Sequence, residues 1–164
     1  MNSSTECIKL NLGGGSLPIK GFLNVDLAPN ADVIHDLRQP LPFKDKSVSE
    51  IMALHVIESF NRWEIDGILK DWRRVLDGRM TIEFTSLSDT IALYNSPDSR
   101  FKQWGHWGLY GNQSVPIDPI VLHHYVYERE ELQEILEKCG FKVIEFTREG
   151  VAHVPERDLR VICE

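Results

Sequence analysis

The stretch KLNLGGGSLPIKGFLNVD, Lys9 to Asp26, decides the fold. CIKLNL, 7–12, alternates apolar with polar residues and predicts a strand, and FLNVD, 22–26, predicts the next. Between them stand Gly13, Gly14 and Gly15. Glycine lets a backbone approach a ligand closely and leaves its N–H donors open. An acid at the end of the second strand, Asp26, suits ribose hydroxyls. A P-loop requires Gly-Lys-Ser/Thr, whereas Gly15 is followed by Ser16 and Leu17. A dinucleotide fingerprint requires a third glycine opening a helix, whereas Pro18 takes that place and too few residues remain for a helix. Pyrophosphate needs a helix N-terminus; a nucleoside without phosphates does not.

Outward from this stretch, ADVIHD (31–36) predicts a short strand and SEIMALHV (49–56) a nearly continuous apolar one, central in a sheet. A helix follows. Asn61 and Glu64 form an N-x-x-E variant of the capping box. Ile65, Ile68, Leu69, Trp72, Val75 and Leu76 give its apolar stripe, and Gly78 its stop. RMTIEFT (79–85) predicts a strand. Region 86–126 reads as irregular and aromatic-rich. EREELQEILEKCG (128–140) predicts a second helix with Leu132, Ile135, Leu136 and Cys139 on one face, and FKVIEF (141–146) and DLRVICE (158–164) the last strands. Strands alternating with helices imply an α/β domain with a largely parallel sheet. In such sheets ligands bind beyond the carboxyl ends of the strands. Gly13–Gly15, Asp26, Asp36 and His55 fall at four successive strand ends. Each alone also fits an ordinary turn; their conjunction points to a site.

The chain of 164 residues fits one domain, 1–164. A formal net charge of −7 without a Lys/Arg run argues against nucleic acid or an anionic membrane as a main partner. No apolar run is long enough to span a membrane. Cys7, Cys139 and Cys163 are widely spaced and odd in number, which suggests a reducing, cytoplasmic setting without a disulfide framework. No CxxC or HExxH pair suggests a metal site.

The sequence resembles the class I S-adenosylmethionine-dependent methyltransferases, specifically a short subgroup related to methyltransferase type 11. LNLGGG resembles its L-N-L-G-C-G opening, and GFLNVDLAPNADVIHDLRQPLPFKDKSVSEIMALHVIE its continuation almost position by position. RVLDGRMTIEF, EELQEILEKCGFKVIEF and RDLRVICE also fit. The resemblance implies a Rossmann-like sheet, mostly parallel with an antiparallel last strand. It implies S-adenosylmethionine as cofactor, with S-adenosylhomocysteine as product. Asn11, Gly13, Gly14 and Gly15 would line the methionine and ribose side, Asp26 would accept from the ribose hydroxyls, and Asp36 with the Leu37 N–H would meet the adenine edge. Leu54 and His55 would border the methyl-transfer face. The sequence departs from the subgroup at Gly14, at Ile57-Glu58-Ser59 where an LEH ending is usual, and at the shortened turn Asp77-Gly78.

The family tends to place its acceptor pocket after the fifth strand, here an insertion over about 86–126 carrying Trp104, His106, Trp107 and Tyr110, with His123 and His124. Aromatic faces suit a sulfonium cation. The expected function is methyl transfer to a small acceptor, such as a hydroxyl or sugar-like compound. A hydroxyl acceptor needs a base, for which His55, His106, His123 and His124 are the candidates. The alternative is a cofactor-binding relative without catalysis, acting as a sensor or subunit. The short connections between strands one and two and between two and three leave no room for crossover helices, so helices should cover one face only. A second copy is expected on the other face, as a two-fold dimer; the competing cover is the loops 37–48 and 147–157.

Overall fold

Register explains the architecture. In the computed structural model, which describes residues 8–15, 18–113 and 122–164, Leu10 pairs with Ile51, Ile51 with Met80 and Met80 with Cys163. Leu12, Ala53, Ile82 and Val161 repeat the pattern two residues on. These side chains form one apolar face. The strands are β1 (Ile8–Leu12), β2 (Leu23–Asp26), β3 (Val33–Ile34), β4 (Val48–Leu54), β5 (Leu76–Thr85), β6 (Val143–Thr147) and β7 (Asp158–Cys163), in the order β3-β2-β1-β4-β5-β7-β6. The first five are parallel, and β7 runs antiparallel to both of its neighbours. Cys7 and residues 114–121 of the segment 86–126 lie outside the described residues.

The apolar face is covered by α1 (Ile65–Val75) and α4 (Arg129–Lys138). Ile65, Leu69, Trp72 and Val75 of α1 and Leu132 and Leu136 of α4 have no exposed surface, and each such side chain contributes about 1.5–3 kcal/mol. The helices lie side by side, joined by Arg62 Nε to Glu131 Oε1 at 2.9 Å and Lys138 Nζ to Asp66 Oδ2 at 2.6 Å. At the start of α1, Glu64 Oε2 accepts from the Asn61 N–H at 2.9 Å, half of the expected capping box; the Asn61 amide also donates to that carboxylate rather than accepting from the helix. Gly78 is not the stop. The helix ends at Val75 and Leu76 already belongs to β5, where a Cβ at Gly78 would lie 2.2 Å from the Ser49 carbonyl oxygen.

The other face carries no helix among the described residues. Its rows are Asn11, Met52, Thr81 and Ile162, then Leu54, Glu83 and Arg160. Lys9 and Glu50 pair across it at 2.7 Å and remain partly exposed. Of the two loops expected to compete as cover, the one before β7 does lie over one end, where the Ala152 N–H donates to Glu83 at 3.0 Å. The other turns to the helical side, where Leu41 N donates to Asp71 Oδ2 at 2.7 Å and Arg74 Nη2 to the Leu41 carbonyl at 3.0 Å.

Region 86–126, expected to be irregular, contains α2 (Leu87–Tyr94) and α3 (Ser99–Tyr110). Asp98 caps α3 by accepting from the N–H of Arg100 at 2.8 Å. Gly105 and Gly108 permit close contact: a Cβ at Gly105 would stand 2.3 Å from Tyr94 N, and one at Gly108 2.7 Å from Thr90 Cγ2. The pair of helices packs at the carboxyl rim, where Arg157 Nη1 donates to the Trp104 carbonyl at 3.0 Å. Gly105→Ala should therefore force α2 and α3 apart and lower unfolding free energy by about 1–3 kcal/mol in urea. Gly67→Ala, inside α1 with nothing within 4 Å, should raise it by about 0.5–1 kcal/mol. Equal effects at the two positions would contradict this packing.

Candidate functional site

Three backbone features shape the carboxyl rim. Gly13 adopts φ +67° and hydrogen-bonds through its N–H to Val25 O at 2.9 Å, which turns the chain sharply off β1. Gly14 passes directly over two amides: Asn11 Nδ2 donates to Asn24 Oδ1 at 3.1 Å, and a Cβ at Gly14 would lie 2.0 Å from that nitrogen. Asn24 Nδ2 in turn donates to Gly15 O at 2.9 Å. Asp26 closes the arrangement, its Oδ2 accepting from Gly15 N and its Oδ1 from Ala28 N, both at 2.8 Å. The acid at the end of β2 thus fixes the glycine loop as well as facing the rim.

Two cavities meet over this loop. One, of about 230 Å³, runs from Gly13, Gly15 and Asp26 to Asp36, Leu37 and Phe60. The other, of about 290 Å³, is lined by Asn11, Gly14, Leu54, His55 and His153. They share Gly13, Gly15 and His55. Every residue expected at a cofactor lies on one of them. At the far end Asp36 Oδ1 accepts from Arg38 N at 3.0 Å, and the Arg38 guanidinium covers the Phe60 ring. A larger cavity of about 710 Å³ lies against α2 and α3, lined by Tyr94, Arg100, His106 and Trp107. It shares no residue with the other two and lacks their combination of turned backbone and carboxylates.

The histidines separate. His106 stacks on Tyr94 and lines the outer cavity. His123 Nδ1 lies 2.8 Å from Gly108 O, and His124 Nδ1 lies 3.3 Å from Asn61 Oδ1. None of these three lines the paired cavities. His55 does, and its backbone is held at φ +51°, uncommon for a residue with a Cβ. Its N–H donates to Glu83 O at 2.8 Å. Its ring faces three carboxylates with no exposed surface: Glu58 Oε1 at 3.4 Å from Nδ1, and Glu83 Oε1 at 3.2 Å and Asp158 Oδ2 at 3.3 Å from Nε2. Burial works against its charge, but hydrogen bonds to Asp158, Glu58 and Glu83 prevail and lift its pKa to about 11. Burial likewise opposes ionisation of Glu83, yet bonds from His153, His55, Ala152 and Arg160 hold its carboxyl well below the usual range.

Glu83, Asp158 and His153 are site residues that sequence reasoning did not single out. Glu83 carried a signal: an acid inside the apolar strand TIEFT has to be paired. His153 carried none. It reaches the site because the loop before β7 folds back, which places its Nδ1 3.1 Å from Glu83 Oε1 and its ring edge-on to His55 with centroids 4.5 Å apart.

No family model matches the sequence, and no curated protein is similar to it at a significant level. The fold has many counterparts among solved structures. A SAM-dependent methyltransferase from Methanosarcina mazei is 16% identical with a TM-score of 0.64, covering 94% of this chain and 90% of its own. A structure described as a complex between the Haloferax volcanii Trm112 methyltransferase activator and the "putative methyltransferase" is 14% identical with a TM-score of 0.65, over 96% and 82%. Magnesium protoporphyrin IX methyltransferase from Synechocystis, solved with bound SAH, is 15% identical with a TM-score of 0.59, over 96% and 73%. The chain has the class I methyltransferase fold. No helix among the described residues is long and apolar enough to cross a membrane.

The contact beneath Gly14 is open to test. Gly14→Ala should break the Asn11–Asn24 bond and lower unfolding free energy by about 1–3 kcal/mol, read by urea denaturation. Unchanged stability would mean that the loop does not rest on those amides.

Proposed function

We propose that this chain binds S-adenosylmethionine across the two joined cavities and transfers its methyl group to a small acceptor. The observation that carries this reading is the run of groups along one continuous cleft. Asp26 stands at its centre, Asp36 and the Leu37 backbone at one end, and the glycine loop with Leu54 at the other. A carboxylate oxygen has lone pairs beyond the one that each Asp26 oxygen gives to the loop, and these suit the two ribose hydroxyls. Asp36 with the Leu37 N–H takes the adenine edge, and the glycine loop and Asn11 take the methionine portion. Solved structures of the same fold include one with bound SAH. The acceptor lies beyond Leu54 and His55. A hydroxyl or sugar-like compound fits the hydrogen-bonding groups there. The cofactor supplies the reactive methyl; the protein aligns the two reactants and keeps water out. Of the four histidines expected as base, only His55 lines the cleft, and the carboxylates around it keep its ring protonated; the other imidazole at the cavity wall is His153. A non-catalytic reading, as sensor or subunit, draws its support from Ser59, which stands where the subgroup has a histidine.

Calorimetric titration with S-adenosylmethionine and S-adenosylhomocysteine tests the shared premise. One equivalent of each should bind, and Asp26→Ala should weaken binding by about 1.5–3 kcal/mol. No saturable binding would refute the cofactor; binding unaltered in the variant would remove Asp26 from the ribose. Turnover on a panel of hydroxyl acceptors separates enzyme from sensor.

The helix-free face belongs to the same proposal as the seat of a second copy. Half-buried Met52 and Ile162 lie there among Lys9, Glu50 and Arg79, a mixed surface that a two-fold axis can make self-complementary. Sedimentation at micromolar concentration should give twice the 18.9 kDa chain mass; a clean monomer would refute the dimer.

A further inference from the structure

We propose that His55, Glu83 and His153 form a binding site for one divalent transition-metal ion at the wall of the cavity under the glycine loop. Glu83 Oε1 lies 3.2 Å from His55 Nε2 and 3.1 Å from His153 Nδ1, and the three atoms lie within 4.8 Å of one another. Ligands bonded to one ion at about 2.0–2.2 Å stand roughly 3–3.5 Å apart. Two of the three edges already have that length, and the half-exposed ring of His153 can close the third.

The surroundings are those of a ligand set rather than of a chance cluster. A metal-bound imidazole commonly donates its other N–H to a carboxylate. His55 Nδ1 faces Glu58 Oε1 at 3.4 Å, and that oxygen is itself fixed by the Thr85 N–H at 2.7 Å. The second oxygen of Glu83 accepts from Arg160 Nε at 2.8 Å, and Oε1, which shares the Ala152 N–H at 3.1 Å, is the oxygen turned toward both imidazoles. Asp158 Oδ2, 3.3 Å from His55 Nε2, is held by Arg157 Nη2 at 3.0 Å and the Val154 N–H at 2.9 Å and stands outside the ligand set. The charges also leave room for a cation. Three buried carboxylates, Glu58, Glu83 and Asp158, face two guanidiniums, Arg157 and Arg160. One negative charge remains, met either by a proton on His55 or by a metal.

Two imidazoles with a carboxylate suit zinc, iron, manganese or nickel better than calcium or magnesium. His153 keeps 46% of its side chain exposed, so the ion is not closed in, and an open position faces the cavity lined by Gly14 and Leu54. A dication between neutral imidazoles leaves one positive charge over, which favours an anionic oxygen there. Resting on the proposed methyl transfer, that oxygen is the acceptor's. Its hydroxyl proton leaves to water, its electron pair forms the bond to the methyl carbon, and the carbon–sulfur pair stays on sulfur as a neutral thioether. His55 and Glu83 are 28 residues apart and Glu83 and His153 are 70 apart, so no local motif announces the set.

The test uses the tag-free full chain, stripped by chelator and then titrated with Co²⁺ and with Zn²⁺, without nucleoside. One equivalent should bind at micromolar dissociation constant or tighter, with visible Co²⁺ bands and no thiolate charge-transfer band. His153→Ala, at a half-exposed position, should keep the native circular dichroism and weaken binding at least about tenfold; Glu83→Gln should do the same where it folds. No stoichiometric uptake, affinity unchanged in His153→Ala, or a thiolate band would overturn the site, the first meaning that these groups are held by protons alone. Because uptake is read without cofactor, its failure leaves the S-adenosylmethionine titration unaffected, and the converse holds.

Discussion

Glu58, Glu83 and Asp158 have no exposed surface, and the carboxyl rim is organised around the cations that neutralise them. Buried charge is tolerated only when paired and hydrogen-bonded. The partners come from distant places: His55 from the end of β4, Arg160 from β7, Arg157 and His153 from the loop before β7. Meeting that requirement draws the last third of the chain onto the first half. It bends the backbone at His55 into a left-handed conformation and anchors α3 through Arg157 and the Trp104 carbonyl. The cavities over the glycine loop owe one wall to this knot of charge.

A second constraint is shortness. Classical nucleotide sheets put a helix after the first strand; here the described residues of the connection form no helix, and Asp26 performs part of the helix's work by bonding Gly15 N. The loop therefore offers turned backbone without a helix dipole. That suits a ligand with hydroxyls and a sulfonium better than one with phosphates.

The strands and the two helices of the apolar face are legible in the sequence because burial on one side imposes period two and period 3.6 on the same chain. Gly13, Asp26, Asp36 and His55 are legible because strand ends carry punctuation. The rest depends on contacts between distant segments. Nothing local announces that Gly105 will meet the backbone of Tyr94, or Gly108 the side chains of Thr90 and Arg157. Gly78 looks like a helix stop until Ser49 lies beside it. His153 is an ordinary loop residue until the turn before β7 carries it to Glu83, and no spacing rule joins positions so far apart.

The edges of the sheet carry a further consequence. β3 contributes only Val33 and Ile34, although Ile34 is 63% exposed, and β6 is interrupted by an irregular register between Val143 and Glu145. Neither edge presents a long flat row of free amides, and short or bulged edges are how natural sheets avoid templating cross-β growth. A sheet whose second face carries no helix among the described residues is thus guarded against lateral polymerisation into fibrils.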